Sequence, residues 1–401
     1  MRIAFFTPLP PIQSALADFA EGLVEALAAL PEVAALALFV TDDYTPEASF
    51  NSDKISIQPH TAYPAQRPSF DVTVYSLGDN GRFHGYMLTY LHQYPGIVIL
   101  NDTTLHRCII SATVGQNNPQ AYLNELQYAY QGNALHIAQQ ISDGLGNELL
   151  LRYPLIERIL DSSQGVIVQN QFAREQVLGI RPSTTTQVIP YPYFLPGELK
   201  NTDPATLKTQ QRTAFGFAPD SFVIGSFGIF VPNKHLRACL QAFKELTQQR
   251  ADAHYLLGGF AADGYDLAGE IQQMGLESQV HITGWQPPAA FVQQMFALDV
   301  GIHLRHPHIG GTPYTPIRLM GLGIATLTSD IEPLHELPQG TCLKIAPDDY
   351  AEALLTTLLH KLALDDSFRH LVGENGRTFI QTHHQLKAIA RQYLEFFQHH
   401  A

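Results

Sequence analysis

Short apolar runs of strand length alternate with stretches of helical spacing along this chain, and the pattern occurs twice. "RIAFF", "ALALFV", "DVTVYSL", "GIVIL" and "GVIVQ" precede residue 190, and "FVIGSFG", "AHYLLGG", "QVHITG", "DVGIHLR" and "ATLTS" follow it. Alternation of this kind predicts a parallel sheet with helices on both faces. The two series are separated by residues 189–204, "IPYPYFLPGELKNTDP", which hold four of the 26 prolines and lack either periodicity, as a linker does. A chain of 401 residues also exceeds what one hydrophobic core usually organises. The expected fold is therefore α/β, with two doubly wound, Rossmann-like domains. The carboxyl ends of their strands, where such sheets bind ligands, are expected to face a cleft.

The balance of 24 basic against 37 acidic residues gives a net charge of −13. That argues against nucleic acid or an anionic membrane as the main partner, so an anionic ligand needs a local basic site. Cys108, Cys239 and Cys342 lie far apart and form no CxxC pair, which supports neither a zinc ribbon nor a disulfide framework and fits a reducing, cytoplasmic setting. "MRIAFFTPLPP" does not read as a signal peptide, because its apolar run breaks at Thr7-Pro8. No transmembrane segment is expected, since no run approaches the roughly 20 apolar residues required. The Asn101-Asp102-Thr103 sequon reads as chance.

Within this frame, "SALADFAEGLVEALAAL" puts Leu16, Phe19, Leu23, Leu27 and Leu30 on one helical stripe, with Ser14 placed to cap it. "PQAYLNELQYAYQGNALHIAQQI" reads as one longer helical insert and "LKAIARQYLEFFQHH" as an amphipathic helix at the end. The loop "FFTPLPPIQSALADF" runs from strand to capped helix. It contains no GxGxxG and the chain no GxxxxGK[ST], so it serves either an anion or plain packing.

In the second half, Gly225 and Gly228 are expected to make a tight turn. Lys234 precedes a helix whose buried stripe is Leu236, Leu240 and Phe243. A lone lysine is usually a solvated charge, but one at a strand's carboxyl end in so acidic a chain is better placed for a phosphate. Arg237, one turn later, either shares that duty or covers the helix surface. "RHPHIGGTPYTPIRLMGLGIATLTSD" then passes through Gly310-Gly311 to Thr315-Pro316, read as an N-cap with proline at the first helical position, and to Gly323 as the stop. Unpaired N–H groups at such a start suit a diphosphate. Against this stands a βα loop that merely contains glycine. His303, His306 and His308 have no known metal-ligand spacing, so no metal is expected, and no nucleophile triad is visible.

Taken in order, "PLPPIQSALADFAEGLVEAL", "YPGIVILND", "GVIVQNQFAREQVL", "VIPYPY", "FGIFVPNKHLRACLQAFKEL", "HITGW", the histidine–glycine stretch and "HELP" resemble the GT-B glycosyltransferases of family four, the group 1 glycosyltransferases. The resemblance implies transfer of a sugar from a nucleotide-diphosphate donor, with retention and without a metal, to a glycan or small-molecule acceptor. It implies an acceptor-side domain, 1–195, on which the last helix, 385–398, packs back, and a donor domain, 196–384. Asn101 and Asp102 then carry catalysis, facing the sugar or acceptor. Ser14, Ala15, Gln169 and Asn170 lie on the acceptor side. Lys234 and Arg237 meet the donor diphosphate, Trp285 and Gln286 lie near its base, and Gly310, Gly311, Thr312, Tyr314, Thr315 and Arg318 form its sugar and phosphate loop.

The departures are specific. The family's donor-loop acid is absent from Gly310-Gly311-Thr312, and Arg318 stands where a second acid would fall. An apolar stretch around Ile229 replaces an arginine, and Asn101-Asp102, Gln169-Asn170 and Ser14-Ala15 replace His-Asp, His-Ser and Ser-Gly. One lost polar donor typically costs about 2.7 to 4 kcal/mol of transition-state stabilisation. Two readings follow: a glycosyltransferase with a modified site, or a catalytically inactive binding or scaffold protein of that fold with a protein partner. A sugar phosphorylase finds no lysine assignable to a pyridoxal phosphate.

Overall fold

The structure is a computed structural model, and it describes every residue other than Ser49, Leu145 and Gly146. The chain forms two compact units. The first comprises Met1–Pro192, Ile309–Thr312 and Leu386–Ala401, and the second Tyr193–His308 and Pro313–Gln385.

In the first unit β1 (Arg2–Phe6), β2 (Ala35–Val40), β3 (Ile55–Pro59), β4 (Val72–Leu77), β5 (Gly96–Leu100), β6 (Ser163–Val168) and β7 (Thr186–Val188) form a parallel sheet in the order β3-β2-β1-β4-β5-β6-β7. The order reverses at β1 and β4, so the crevice of this sheet lies beyond Phe6 and Leu77. Phe6, Phe39, Tyr63 and Tyr75 pack ring against ring in its core. Ser14 caps the helix Ala15–Ala28, its Oγ accepting from Leu16 N–H at 3.2 Å. Phe19, Leu23, Leu27 and Leu30 are buried as the stripe requires, whereas Leu16 is only half-buried. The expected single insert is two helices, Pro119–Tyr130 and Ala134–Ser142. Gln131, at a φ of 48°, breaks the helical path between them, in a left-handed conformation that leaves the α-helix after one residue. The last helix, Leu386–His399, packs on Ala15–Ala28 and buries Tyr393, Leu394 and Phe397, while Gly165 in β6 leaves room for the Phe396 ring.

The second unit holds a parallel sheet of β8 (Phe222–Phe230), β9 (Ala253–Ala261), β10 (Val280–Ile282), β11 (Val300–His303), β12 (Ala325–Ser329) and β13 (Leu343–Ile345), ordered β10-β9-β8-β11-β12-β13. Its reversal falls between β8 and β11. These two strands pair only at Val300–Ile224 and Gly301–Gly225. One residue beyond, Ser226 Oγ takes over, donating to the Ile302 carbonyl at 2.9 Å and meeting Tyr255 Oη at 2.8 Å. At the other end Asp299 accepts from Arg212 at 2.7 Å, Lys208 at 2.8 Å and Val223 N–H at 2.8 Å, which fastens the start of β11 to β8.

Gly225 and Gly228 form no turn. Both lie inside β8, which continues to Phe230. A Cβ on Gly225 would fall 2.6 Å from Leu298, and Gly228 (φ 119°) sets its carbonyl against Gly259. The chain turns later, at Pro232–Lys234.

Candidate functional site

At the carboxyl end of the first sheet, Asn101 follows β5 and is buried. Its Nδ2 donates to Ser76 Oγ at 3.1 Å and the Leu77 carbonyl at 3.0 Å, and its Oδ1 accepts from Tyr191 Oη at 2.9 Å. Both amide hydrogens are thus committed to the scaffold. Asp102 stays half-buried and its Oδ2 accepts from Asp79 N–H at 3.0 Å. Asp79 follows β4. Its carboxylate takes Arg107 Nη1 at 3.0 Å and Cys108 N–H at 3.1 Å. Burial, then the Asp102 charge, pushes Asp79 up to about 7 against the pull of these donors. His84, beneath the same loop, bonds the Ser76 carbonyl through Nδ1, and burial holds it down at about 4. Sequence reasoning passed over Asp79, Arg107 and His84. The available signal was the position of "GDN" just past β4, one of the two strands at the switch point.

Asn170 ends the loop after β6. Its Oδ1 accepts from Ala173 N–H at 2.7 Å and caps the helix Gln171–Ile180, while Nδ2 donates to the Gly310 carbonyl at 3.2 Å and Thr312 Oγ1 at 2.8 Å. Thr103 N–H donates to the Ile309 carbonyl at 3.0 Å. The segment Ile309–Thr312 is therefore strapped against Asn101–Thr103 and Asn170. A Cβ on Gly311 would lie 2.3 Å from the Asn101 carbonyl oxygen and 2.5 Å from Asp102 Oδ1. One on Gly310, whose φ is 82°, would meet Thr103 Oγ1 far inside contact distance. This arrangement has no space for an acid at either position. Gln169 is buried, with Nε2 lacking a hydrogen-bond partner among the described residues. Ser14 is half-buried at its cap and Ala15 is exposed.

In the second unit Lys234 ends the turn Pro232–Lys234, and His235 (φ 50°, ψ 36°) leads into the helix Leu236–Thr247, where Leu236, Leu240 and Phe243 are buried. The lysine is half-buried as a residue, but its ammonium is enclosed, 3.3 Å from His303 Nε2 at the end of β11. Burial, and next the Arg305 charge, lowers the Lys234 proton affinity far below the usual lysine value. His303 is driven well down by burial, Lys234 and Arg305 in that order, and so stays neutral. No carboxylate lies within ion-pair distance of Lys234 among the described residues. Arg237 is exposed on the helix.

The helix after the strap is Tyr314–Gly321, so Thr315 is its second residue and not its cap. Pro313, in extended conformation (φ −68°, ψ 130°), holds the cap position, and no side chain caps the helix. Pro316 thereby falls third, where a missing N–H costs no intrahelical bond. Gly323, at φ 79°, ends the turn beyond Leu322. Arg318 is buried with its guanidinium 4.4 Å from the Tyr314 ring centre, a cation–π contact that occupies the matched acid position. Trp285 is 39% exposed beside the exposed Ile282, and Gln286 Nε2 donates to the Thr283 carbonyl at 3.0 Å. Of the three histidines, His308 pairs with Glu332 at 2.8 Å and His306 is exposed. Among the described residues no group of three or more His, Cys, Asp or Glu is gathered to hold a metal, and no helix is long and apolar enough to cross a membrane.

Residues 208–379 match the family model for glycosyl transferases group 1. The whole fold is similar to sucrose-phosphate synthase from Thermosynechococcus elongatus, with a TM-score of 0.69 at 16% identity over 100% of this chain and 99% of that one. It is similar to WaaG, a glycosyltransferase involved in lipopolysaccharide biosynthesis, with a TM-score of 0.65 at 14% identity over 98% and 99%. Anabaena HepE in complex with UDP and glucose gives a TM-score of 0.63 at 16% identity over 99% of each chain. These likenesses establish the GT-B fold. No curated protein is a match in sequence.

Proposed function

We propose, from the premise that the chain belongs through residues 208–379 to the group 1 glycosyl transferases, that it transfers a sugar from a nucleoside-diphosphate donor to a hydroxyl acceptor. The observation that carries this reading is the enclosed Lys234 ammonium, lodged at the β8–β11 switch point beside a neutral histidine and with no carboxylate partner among the described residues. A buried cation without a counter-charge is costly, and an anionic ligand supplies what is missing. HepE, of the same fold, is seen with UDP and with UDP-glucose.

In this reading the bond between the sugar's anomeric carbon and the diphosphate oxygen breaks, and Lys234 stabilises the charge left on the departing nucleoside diphosphate. The acceptor hydroxyl oxygen bonds to the same carbon on the same face, and its proton passes to the leaving diphosphate. Trp285 and Gln286 lie on the base side. Asp102, with Asn101 behind it as a positioning residue, and the Ser14, Ala15, Gln169 and Asn170 loops form the acceptor side.

A non-catalytic binding role is the second reading, and it is favoured by one observation, the lack of space for any side chain at Gly311. Thermal shift with UDP, GDP, ADP and CDP tests the donor site. Stabilisation by at least one of them, abolished in Lys234→Ala, supports it, and no stabilisation by any rejects it. Release of free sugar from the matching nucleotide-sugar separates the two readings, since a pure binding protein releases none.

A further inference from the structure

We infer that Arg305 supplies a second cation beside Lys234 and that together they make the site selective for a diphosphate over a monophosphate; this rests on the donor reading above. The two residues come from different loops that are fastened edge to edge. His306 N–H donates to the Asn233 carbonyl at 2.9 Å, Asn233 Nδ2 donates to the Pro307 carbonyl at 3.0 Å, and His235 Nε2 lies 2.8 Å from the His306 carbonyl. Lys234 follows Asn233 and Arg305 precedes His306, so the bonded pair brings the two cationic residues together. A further bond, Arg305 N–H to Ser329 Oγ at 2.9 Å, pins the arginine's backbone to the end of β12. The loop is thus fixed on both sides of the arginine.

The guanidinium itself makes no ion pair or side-chain hydrogen bond among the described residues. In a chain with 37 acidic residues to 24 basic, two adjacent cations have been left without a carboxylate. The Arg305 charge is felt at both Lys234 and His303, where it opposes protonation. Like charges held together by backbone bonds repel unless an anion lies between them, and a diphosphate offers two charged groups to two cations. Arginine's planar fork adds a bidentate grip that a lysine lacks. The arginine that the family pattern places ahead of the lysine is absent here, and a residue from the β11 loop supplies its charge.

Calorimetric titration of the full chain with UDP, GDP and ADP, and with their monophosphates, tests this. Arg305→Gln should weaken the preferred diphosphate about tenfold or more and its monophosphate by less than about threefold. Arg305→Lys should recover part of the loss. Because the guanidinium holds no protein partner and only repels its cationic neighbour, the ligand-free melting temperature should not fall in either variant. An unaltered diphosphate affinity in Arg305→Gln, or an equal loss for both ligands, overturns the inference. If the unmodified chain binds none of these ligands, the donor reading itself fails. If binding is lost in Lys234→Ala yet intact in Arg305→Gln, only the role of Arg305 fails.

Discussion

Replacing Gly311 by alanine is the sharpest probe of the strap. The new methyl would sit 2.3 Å from the Asn101 carbonyl oxygen and 2.5 Å from Asp102 Oδ1, where ordinary contact begins at 3.4 Å. The overlap is roughly 1 Å, and the Asn101 oxygen is backbone that cannot rotate away. Keeping the strap in place therefore costs about 1 to 3 kcal/mol of overpacking. Letting it lift off forfeits the bonds from Thr103 N–H to Ile309 and from Asn170 to Gly310 and Thr312. At about 0.5 to 1.5 kcal/mol each, that route costs a similar amount. Either way the docked state loses about 2 kcal/mol, close to a 30-fold change in the opening equilibrium. The Thr103 amide reports this directly, because among the described residues its hydrogen bond goes to the Ile309 carbonyl of the strap. Hydrogen exchange should show that amide exchanging about 30-fold faster in Gly311→Ala, with the β5 amides unchanged. Thr103 protection equal to that of the unmodified chain would refute the close approach, and with it the account of why no acid occupies this loop.

Two further outcomes follow from the same geometry. Asn170→Asp keeps an oxygen for the Ala173 N–H but loses the donor to Gly310, so it should free the strap while preserving the helix Gln171–Ile180. Asn170→Ala should lose both, costing a further 0.5 to 2 kcal/mol or about 1 in the usual case, and equal urea midpoints for the two would contradict this. Burial holds His84 and His106 down at about 4, so their stabilising contribution is present above the ordinary histidine value of 6.5 and is lost as pH falls toward 4. Asp79, raised to about 7, works in the opposite sense, its contribution being complete at low pH and lost as pH rises toward 7. Urea midpoints measured from pH 7.5 to 4.5 should therefore fall more steeply on acidification in Asp79→Asn than in the unmodified chain. A parallel profile would rule out the raised carboxyl.

The strands that announce themselves in the sequence are those with continuous apolar runs, such as "ALALFV" and "GIVIL", because a strand covered by helices on both faces needs apolar residues at every position. β3, β7 and β13 were not legible, and all three are sheet edges with partly exposed residues, whose short, mixed runs carry no pattern. Lys234 could be found from its place after a strand in an acidic chain. Arg305 could not, since what sets it beside the lysine is a set of bonds between loops some seventy residues apart. Asn101 shows the converse limit. The residue type reads as a polar site group, and only the positions of Ser76, Leu77 and Tyr191 reveal that its hydrogen bonds are already spent on the scaffold.

The meagre pairing of β8 with β11 has a consequence for how these two strands are held. Past Gly225 and Gly301 the gap between these strands is bridged by the Ser226 and Tyr255 hydroxyls and no longer by a backbone ladder. Asp299 and Arg212 keep the far end stapled. The two ends of this strand pair are thus fastened by different chemistry, buried hydroxyls at one and a carboxylate with its cations at the other, so a substitution at one end leaves the fastening of the other in place.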